Sequence, residues 1–427
     1  MWKYIKIFLA GCVFSLFYFP FEFTFLPGYN TKKILAAIGL LILLMLFITQ
    51  KEFKLPRNVI VISIYAIIVS IIGLVAVVYN GTSDYVYSSY FVSMWVWLSA
   101  AFASCFFIKV VHGKITVELI ANYLIAICVF QCIAAQIINA NAAVKAFVDS
   151  YILQGQVFLT RVNRLYGIGA NLDVAGSRFA VALIVIMVIL TTRDNLSSKD
   201  LWGYITSYVA IAVMGSIIAR TTYVGVVISI MFLICRYLPN ILKTPLGAFR
   251  ILSVILSIVI FLVPFLVYLY NTDPQVHKML RFAFEGFFNL AETGQWSIAS
   301  NEFLKTMYVF PDNIKTWIIG DGYFNNPINV DPYYVGEITG GYYMGTDVGY
   351  LRFIFYFGIV GLLAFILFFI KVTQYCIKEI PLYKWMFILL LIANFTIWFK
   401  VSTDIFLVFA LFLCVANMQD KPLESEL

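Results

Sequence analysis

Runs of about 20 apolar residues recur along this chain, and nearly all its charged residues sit in the short stretches between them. Inside lipid a backbone must satisfy its own hydrogen bonds, so each run is expected to be a membrane-crossing helix. Hydrophobic residues are 62% of the chain and charged residues 12%. A soluble domain carries roughly twice that charged fraction, so water cannot be the solvent for most of this surface. The runs fall at 5–25, 34–49, 58–79, 90–111, 117–139, 173–192, 202–219, 221–237, 249–270, 347–370, 383–399 and 401–418. The expectation is an all-α, polytopic transmembrane bundle of about 12 spans. Residues 1–270 would hold the first nine spans, 271–346 one large loop, and 347–427 the last three with a short tail.

Lysine and arginine place the loops. If the N-terminus is cytoplasmic, that side carries Lys3, Lys6, Lys51, Lys54, Arg57, Lys109, Lys114, Arg193, Lys199, Arg236, Lys243, Arg250, Lys371, Lys378, Lys384 and Lys421. The other side holds about nine outside the long loop, several of them at helix mouths. Both termini are therefore expected in the cytoplasm and segment 271–346 outside. In a Gram-negative cell the protein would lie in the inner membrane with that segment in the periplasm. The N-terminal apolar run lacks a small-residue cleavage site and is expected to be a retained span.

Several chemistries are excluded. The net charge of +7 is scattered over short loops, with no basic run interleaved with aromatics, so nucleic acid is not a partner. The seven cysteines lie within or beside apolar runs and read as small hydrophobes. With only His112 and His277, a histidine metal site is not expected, and no Gly-rich phosphate loop, His-Glu-x-x-His or Gly-x-Ser-x-Gly occurs. Chemistry is left to carboxylates and arginines.

Segment 271–346 reads as ordered. Residues 276–290 place His277, Arg281 and Glu285 four apart in an otherwise largely apolar stretch, as in a helix lying on a membrane surface. Ser297 is expected to cap a second helix that runs to about Val309, before Pro311. A Gly-, Tyr- and Asn-rich stretch then follows Ile319-Gly-Asp-Gly-Tyr.

The informative residues are charges at membrane depth, which are costly and by default mark function. On the outer side these are Arg161, Arg164, Arg178, Arg220, Arg281 and Arg352. Guanidinium groups suit bidentate grip on phosphate oxygens, and several at one mouth suggest an anionic lipid-linked substrate. Snorkelling to the interface is the competing role for each, least so for Arg220, in the tight corner of an apolar hairpin. Asp347 opens a long apolar helix, and two roles stand open to it: N-cap, or general base beside a bound substrate.

Four stretches together resemble the O-antigen polymerase family (Wzy-type), within the O-antigen ligase and polymerase superfamily. They are Arg164-Leu-Tyr-Gly, Gly215-Ser-Ile-Ile-Ala-Arg-Thr-Thr-Tyr-Val-Gly, Ile319-Gly-Asp-Gly-Tyr, and Thr346-Asp-Val-Gly-Tyr-Leu-Arg running to Leu362. The resemblance covers roughly residues 160–370. It implies a GT-C-like, membrane-embedded glycosyltransferase, needing neither cofactor nor metal, that joins oligosaccharide repeat units carried on undecaprenyl pyrophosphate at the periplasmic face. On that resemblance Asp347 and Arg220 would be catalytic, Asp347 deprotonating the acceptor hydroxyl. Arg164, Arg178 and Arg220 would hold the pyrophosphate, while Arg161, Arg281 and Arg352 would help bind donor or glycan. Ligases of the superfamily carry His near the position of Asp347, which argues against that alternative. A flippase or transporter is the other one, and it would spread charge along a central cavity. Some members carry paired Arg-x10-Gly motifs; here Arg164 to Gly176 is one residue too long. A separate chain-length regulator protein and membrane lipid are the further partners that the resemblance implies.

Overall fold

The computed structural model describes residues 2–49, 55–161, 164–193, 196–237, 260, 263–327 and 341–418. The chain folds as a multi-pass bundle of helices. Seven are long and apolar enough to cross a membrane: α2 (Thr31–Thr49), α3 (Arg57–Asn80), α4 (Tyr90–His112), α5 (Val117–Ala140), α8 (Leu172–Thr192), α9 (Ser198–Ile218) and α16 (Gly349–Glu379). Three shorter apolar helices join them: α10 (Thr222–Tyr237), α17 (Lys384–Ile397) and α18 (Phe406–Met418). Most of the run expected at 249–270 lies outside the described residues.

Central to the bundle is α8. Every residue from Ala175 to Thr191 is buried, as expected of a helix apolar on all sides. It packs against α5, α9, α10 and α17. The close approach of α10 depends on Gly225, where a Cβ would collide with the Ala180 backbone. Aromatic side chains turn inward as well as toward the lipid boundary: Tyr87, Phe353, Phe357, Phe365 and Trp398 stack edge to face in one buried cluster.

The first helix, α1 (Trp2–Tyr18), stops well before residue 25. Pro20 has no N–H to extend it. The chain instead forms β1 (Glu22–Phe23), antiparallel to β2 (Ile152–Leu153). Between α5 and β2 lies α6 (Ala142–Tyr151), capped by Asn141, and β2 leads into α7 (Gln156–Arg161). These pieces gather at one end of the bundle, with the α9–α10 corner, the α17–α18 corner and the long segment. At the opposite end Tyr383 donates to Glu118 (2.6 Å), and Asn58 bonds Asn417 (3.2 Å).

The long segment is helical in pieces. Residues 263–272 form α11, followed by α12 (Pro274–Ala283), α13 (Glu285–Thr293), α14 (Ala299–Thr306) and α15 (Ile314–Ile318). The single surface helix expected at 276–290 is broken at Phe284. His277, Arg281 and Glu285 accordingly go separate ways, to Tyr270, Glu292 and Arg220. Ser297 does not cap α14. It accepts the Asn289 amide, and Glu285 takes the cap's role by accepting from the Ala299 N–H (3.0 Å).

One join ties this segment into the bundle. Helix α16 breaks at Phe357 and Gly358, where φ is 68° at the glycine. The break frees the carbonyls of Phe355 and Tyr356, and the 319–322 loop fills the gap. Asp321 N–H donates to Phe355 (2.6 Å) and Gly322 N–H to Tyr356 (3.1 Å). Gly320 is required there, because a Cβ would sit 2.5 Å from the Tyr356 carbonyl. Asp321 is itself held by Lys315 (2.6 Å) and Thr316 (2.6 Å). The Ile319-Gly-Asp-Gly-Tyr stretch is thus a plug for a broken helix.

Candidate functional site

The upper piece of α16 carries the first pair. The helix begins at Gly349 with Val348 at its N-cap position and no side-chain cap bond, so Asp347 is not spent on capping. Its carboxylate is 3.9 Å from Arg352, one turn on. Burial pushes the Asp347 carboxyl up to about 6, the nearby Asp173 adds to that, and Arg352 and Lys400 pull against it. Arg352 is only 6% exposed. It donates to Ser402 (2.9 Å), the Phe324 carbonyl (2.9 Å) and Asn325 (2.7 Å), and packs on the rings of Phe324 and Tyr342. Its Nε has no partner among the described residues.

Asp173, in the first turn of α8, is the second carboxylate of the group. It pairs with Lys400 from the α17–α18 corner (2.6 Å) and accepts from Thr221. Lys400 also donates to Thr221 (3.2 Å), so α8, the α9–α10 corner and the α17–α18 corner meet in one polar knot. Lys400 was not singled out from the sequence. It shows the same signal that picked out Arg220, a lone cation between two apolar runs.

Arg220 is engaged on every side. Nε and Nη2 donate to the Phe282 carbonyl (3.1 and 2.8 Å), Nη1 to Ser300 (2.7 Å) and Nη2 to Glu285. The guanidinium also stacks on the Phe282 ring, 4.0 Å from its centroid. This arginine therefore clamps α12, α13 and α14 to the bundle corner, and in this state its donors are not aimed at a ligand.

Arg164 lies on the same ring, 3.8 Å from its centroid. Burial and the neighbouring Arg220 push the Arg164 guanidinium below the ordinary arginine value. It lines a cavity of about 480 Å³ at the site end of the bundle, among α5, α6, α9 and α12. Lys145 and Lys278 share the wall, and the sequence alone gave no reason to choose either.

The remaining arginines are scattered. Arg178 is 5% exposed, a turn deeper in α8, with the Phe19 ring 5.4 Å away and no hydrogen-bond partner for its guanidinium among the described residues. Arg281 forms an exposed two-pronged pair with Glu292, apart from the others. Arg161 ends α7, and its side chain lies outside the described residues. The structure thus brings together Arg164 and Arg220 on one ring, and Asp347 with Arg352; it does not gather all six arginines.

Two residues other than glycine adopt positive φ among the described residues, Leu172 (45°) and Met344 (54°). One immediately precedes Asp173 and the other lies three residues before Asp347, so backbone strain is concentrated at the two carboxylates. No group of three or more His, Cys, Asp and Glu among the described residues could hold a metal ion. No protein-family model matches the chain, and neither a curated protein nor a solved structure matches it.

Proposed function

We propose that this protein is a membrane-embedded glycosyltransferase of GT-C-like type that polymerises oligosaccharide repeat units carried on undecaprenyl pyrophosphate. The observation that carries the reading is Asp347. It is a carboxylate at a helix start that is not used as a cap, largely withdrawn from water, hydrogen-bonded to Tyr342, with its proton affinity raised toward neutrality and a buried arginine one turn away. A base needs a pKa near the working pH, which Asp347 has; the Tyr342 hydroxyl is its hydrogen-bond partner, and Arg352 stands off at 3.9 Å.

In the proposed reaction the acceptor sugar hydroxyl attacks the anomeric carbon of the donor. The hydroxyl proton passes to Asp347, the new glycosidic C–O bond forms, and the bond from that carbon to the diphosphate oxygen breaks. The electron pair leaves with the lipid diphosphate, whose growing charge is met by fixed cations at the same end of the bundle. Arg352 steadies Asp347 as an anion between turnovers, and the Asp173–Lys400 knot fixes the helix ends around it. On this reading the site end of the bundle faces the periplasm of a bacterial inner membrane and both termini are cytoplasmic.

The direct test is the lipopolysaccharide ladder of cells in which the gene is disrupted. Collapse to core plus a single repeat unit is the expected result. Loss of even that unit would indicate a ligase or flippase instead, and an unchanged ladder would overturn the O-antigen assignment.

A further inference from the structure

The cavity beside Phe282 has the make-up of a site for an amphiphilic anion. Lys145, Arg164 and Lys278 lie in its wall, and no carboxylate lines it. The acid nearest in sequence to Lys145, Asp149, is turned to the Tyr166 hydroxyl, which donates to both of its oxygens (2.8 and 3.0 Å). No ion pair involves Lys145, Arg164 or Lys278 among the described residues. Ala135, Ile138 and Ile217, from the ends of two spanning helices, supply an apolar part of the lining. Three cations with no ion pair call for an anion, although Asp173 and Glu285 partly offset the charge of Arg164, and the apolar lining at the ends of membrane helices calls for one attached to a hydrocarbon chain.

We propose that this cavity holds the phosphate end of a polyprenyl diphosphate through Lys145, Arg164 and Lys278, and that Arg220 acts on it only as a positioning residue. Phe282 and Lys278 both belong to α12, and Arg220 holds that helix by the Phe282 carbonyl. The Arg220 clamp therefore fixes one wall of the cavity while its own donors are spent elsewhere. This moves the phosphate-gripping role away from the arginine at the hairpin corner and onto two lysines that no sequence motif marks. The assignment depends on the polymerase reading only for the identity of the lipid.

Binding of farnesyl diphosphate to the purified full-length protein in detergent, followed by native mass spectrometry with salt titration, tests it. Lys145→Ala and Lys278→Ala should each weaken binding about tenfold, the loss of one charge-assisted contact, and the double variant more. Lys305→Ala, in an exposed pair with Glu302, should leave it unchanged. Salt dependence should fall in the two cavity variants. Arg220→Ala should weaken binding with the salt dependence of the wild type, as befits a residue that does not touch the phosphate. Unaltered affinity in the double variant would overturn the site. Equal competition by phosphatidylglycerol would make it a general lipid-headgroup groove, and equal competition by inorganic pyrophosphate would remove the hydrocarbon part; either overturns the proposal. Farnesyl diphosphate bound as expected, in a protein whose loss leaves the ladder unchanged, would sink the polymerase reading and keep the site. A normal ladder from the Lys145→Ala, Lys278→Ala double variant would sink the site and keep the polymerase.

Discussion

Arg220, partly buried, and Arg352, buried, lie at the site end of the bundle, each beside a carboxylate, yet their surroundings differ in kind. Arg220 meets Glu285 directly, and its other donors are taken by a carbonyl and a hydroxyl. Arg352 stands 3.9 Å from Asp347, spends its donors on Ser402, Phe324 and Asn325, and leaves the carboxylate no direct bond from it. The first arrangement is closed and holds structure together. The second leaves a carboxylate that bonds a tyrosine hydroxyl rather than its arginine, and that is strongly perturbed, which suits proton transfer. A charge in an unusual place is therefore only the start of an argument, and whether its partners are already satisfied decides between scaffold and chemistry.

The largest expected effect tests the open pair. Asp347→Asn should lower polymer synthesis by about 10²–10⁴-fold, the range for loss of a general base, while the protein still inserts. Near-normal ladders in that variant would remove Asp347 from the chemistry. The closed pair comes next. Arg220→Ala leaves Glu285 without its cation, and Glu285→Ala strands Arg220, so both should expose the 274–306 segment to protease and shorten polymer alike. If Arg220→Ala abolishes polymer and Glu285→Ala does not, Arg220 has a chemical role and the contrast between the two arginines fails.

A pH profile sharpens the open pair further. The folded-state pKa of Asp347 is raised, so its protonated form persists to about 6 and the base is lost as pH falls through that value. Polymerisation in membrane vesicles should decline below about pH 6 along a single titration. The smallest effect is a change of neighbour: Asp173→Asn removes a negative charge that raises the Asp347 pKa, and should move that limb to lower pH. A shift to higher pH would mean that release of Lys400 or of the helix corner outweighs the charge.

Much of the fold was legible because hydropathy over 20 residues is a strong signal. The runs at 58–79, 90–111, 117–139 and 173–192 match α3, α4, α5 and α8 to within a residue or so. Breaks inside apolar stretches were not legible. Nothing in local composition stops α1 at Tyr18 except Pro20, and the Gly358 break is invisible until the plug that satisfies its carbonyls is seen. Within the site, Asp347 stood out by its place at the head of an apolar run. Asp173 carries no such local mark, because its partner Lys400 lies 227 residues away. Lys145 and Lys278 escaped notice for the same reason, since a cavity wall assembled from α6 and α12 has no signature in either stretch alone.

The plug in α16 has a bearing on how such a chain could be re-engineered or diversify. On the proposed function, exchange of segment 271–346 between related chains is a route to a new glycan specificity. Here residues 320–322 complete the backbone bonding of a helix that enters the lipid, beneath the very carboxylate proposed to do the chemistry. A transplanted segment lacking that stretch would leave two carbonyls bare in a nonpolar medium. The unit of exchange is therefore the segment together with residues 347–358, and a graft cut at the membrane surface would sever the protein's own seam.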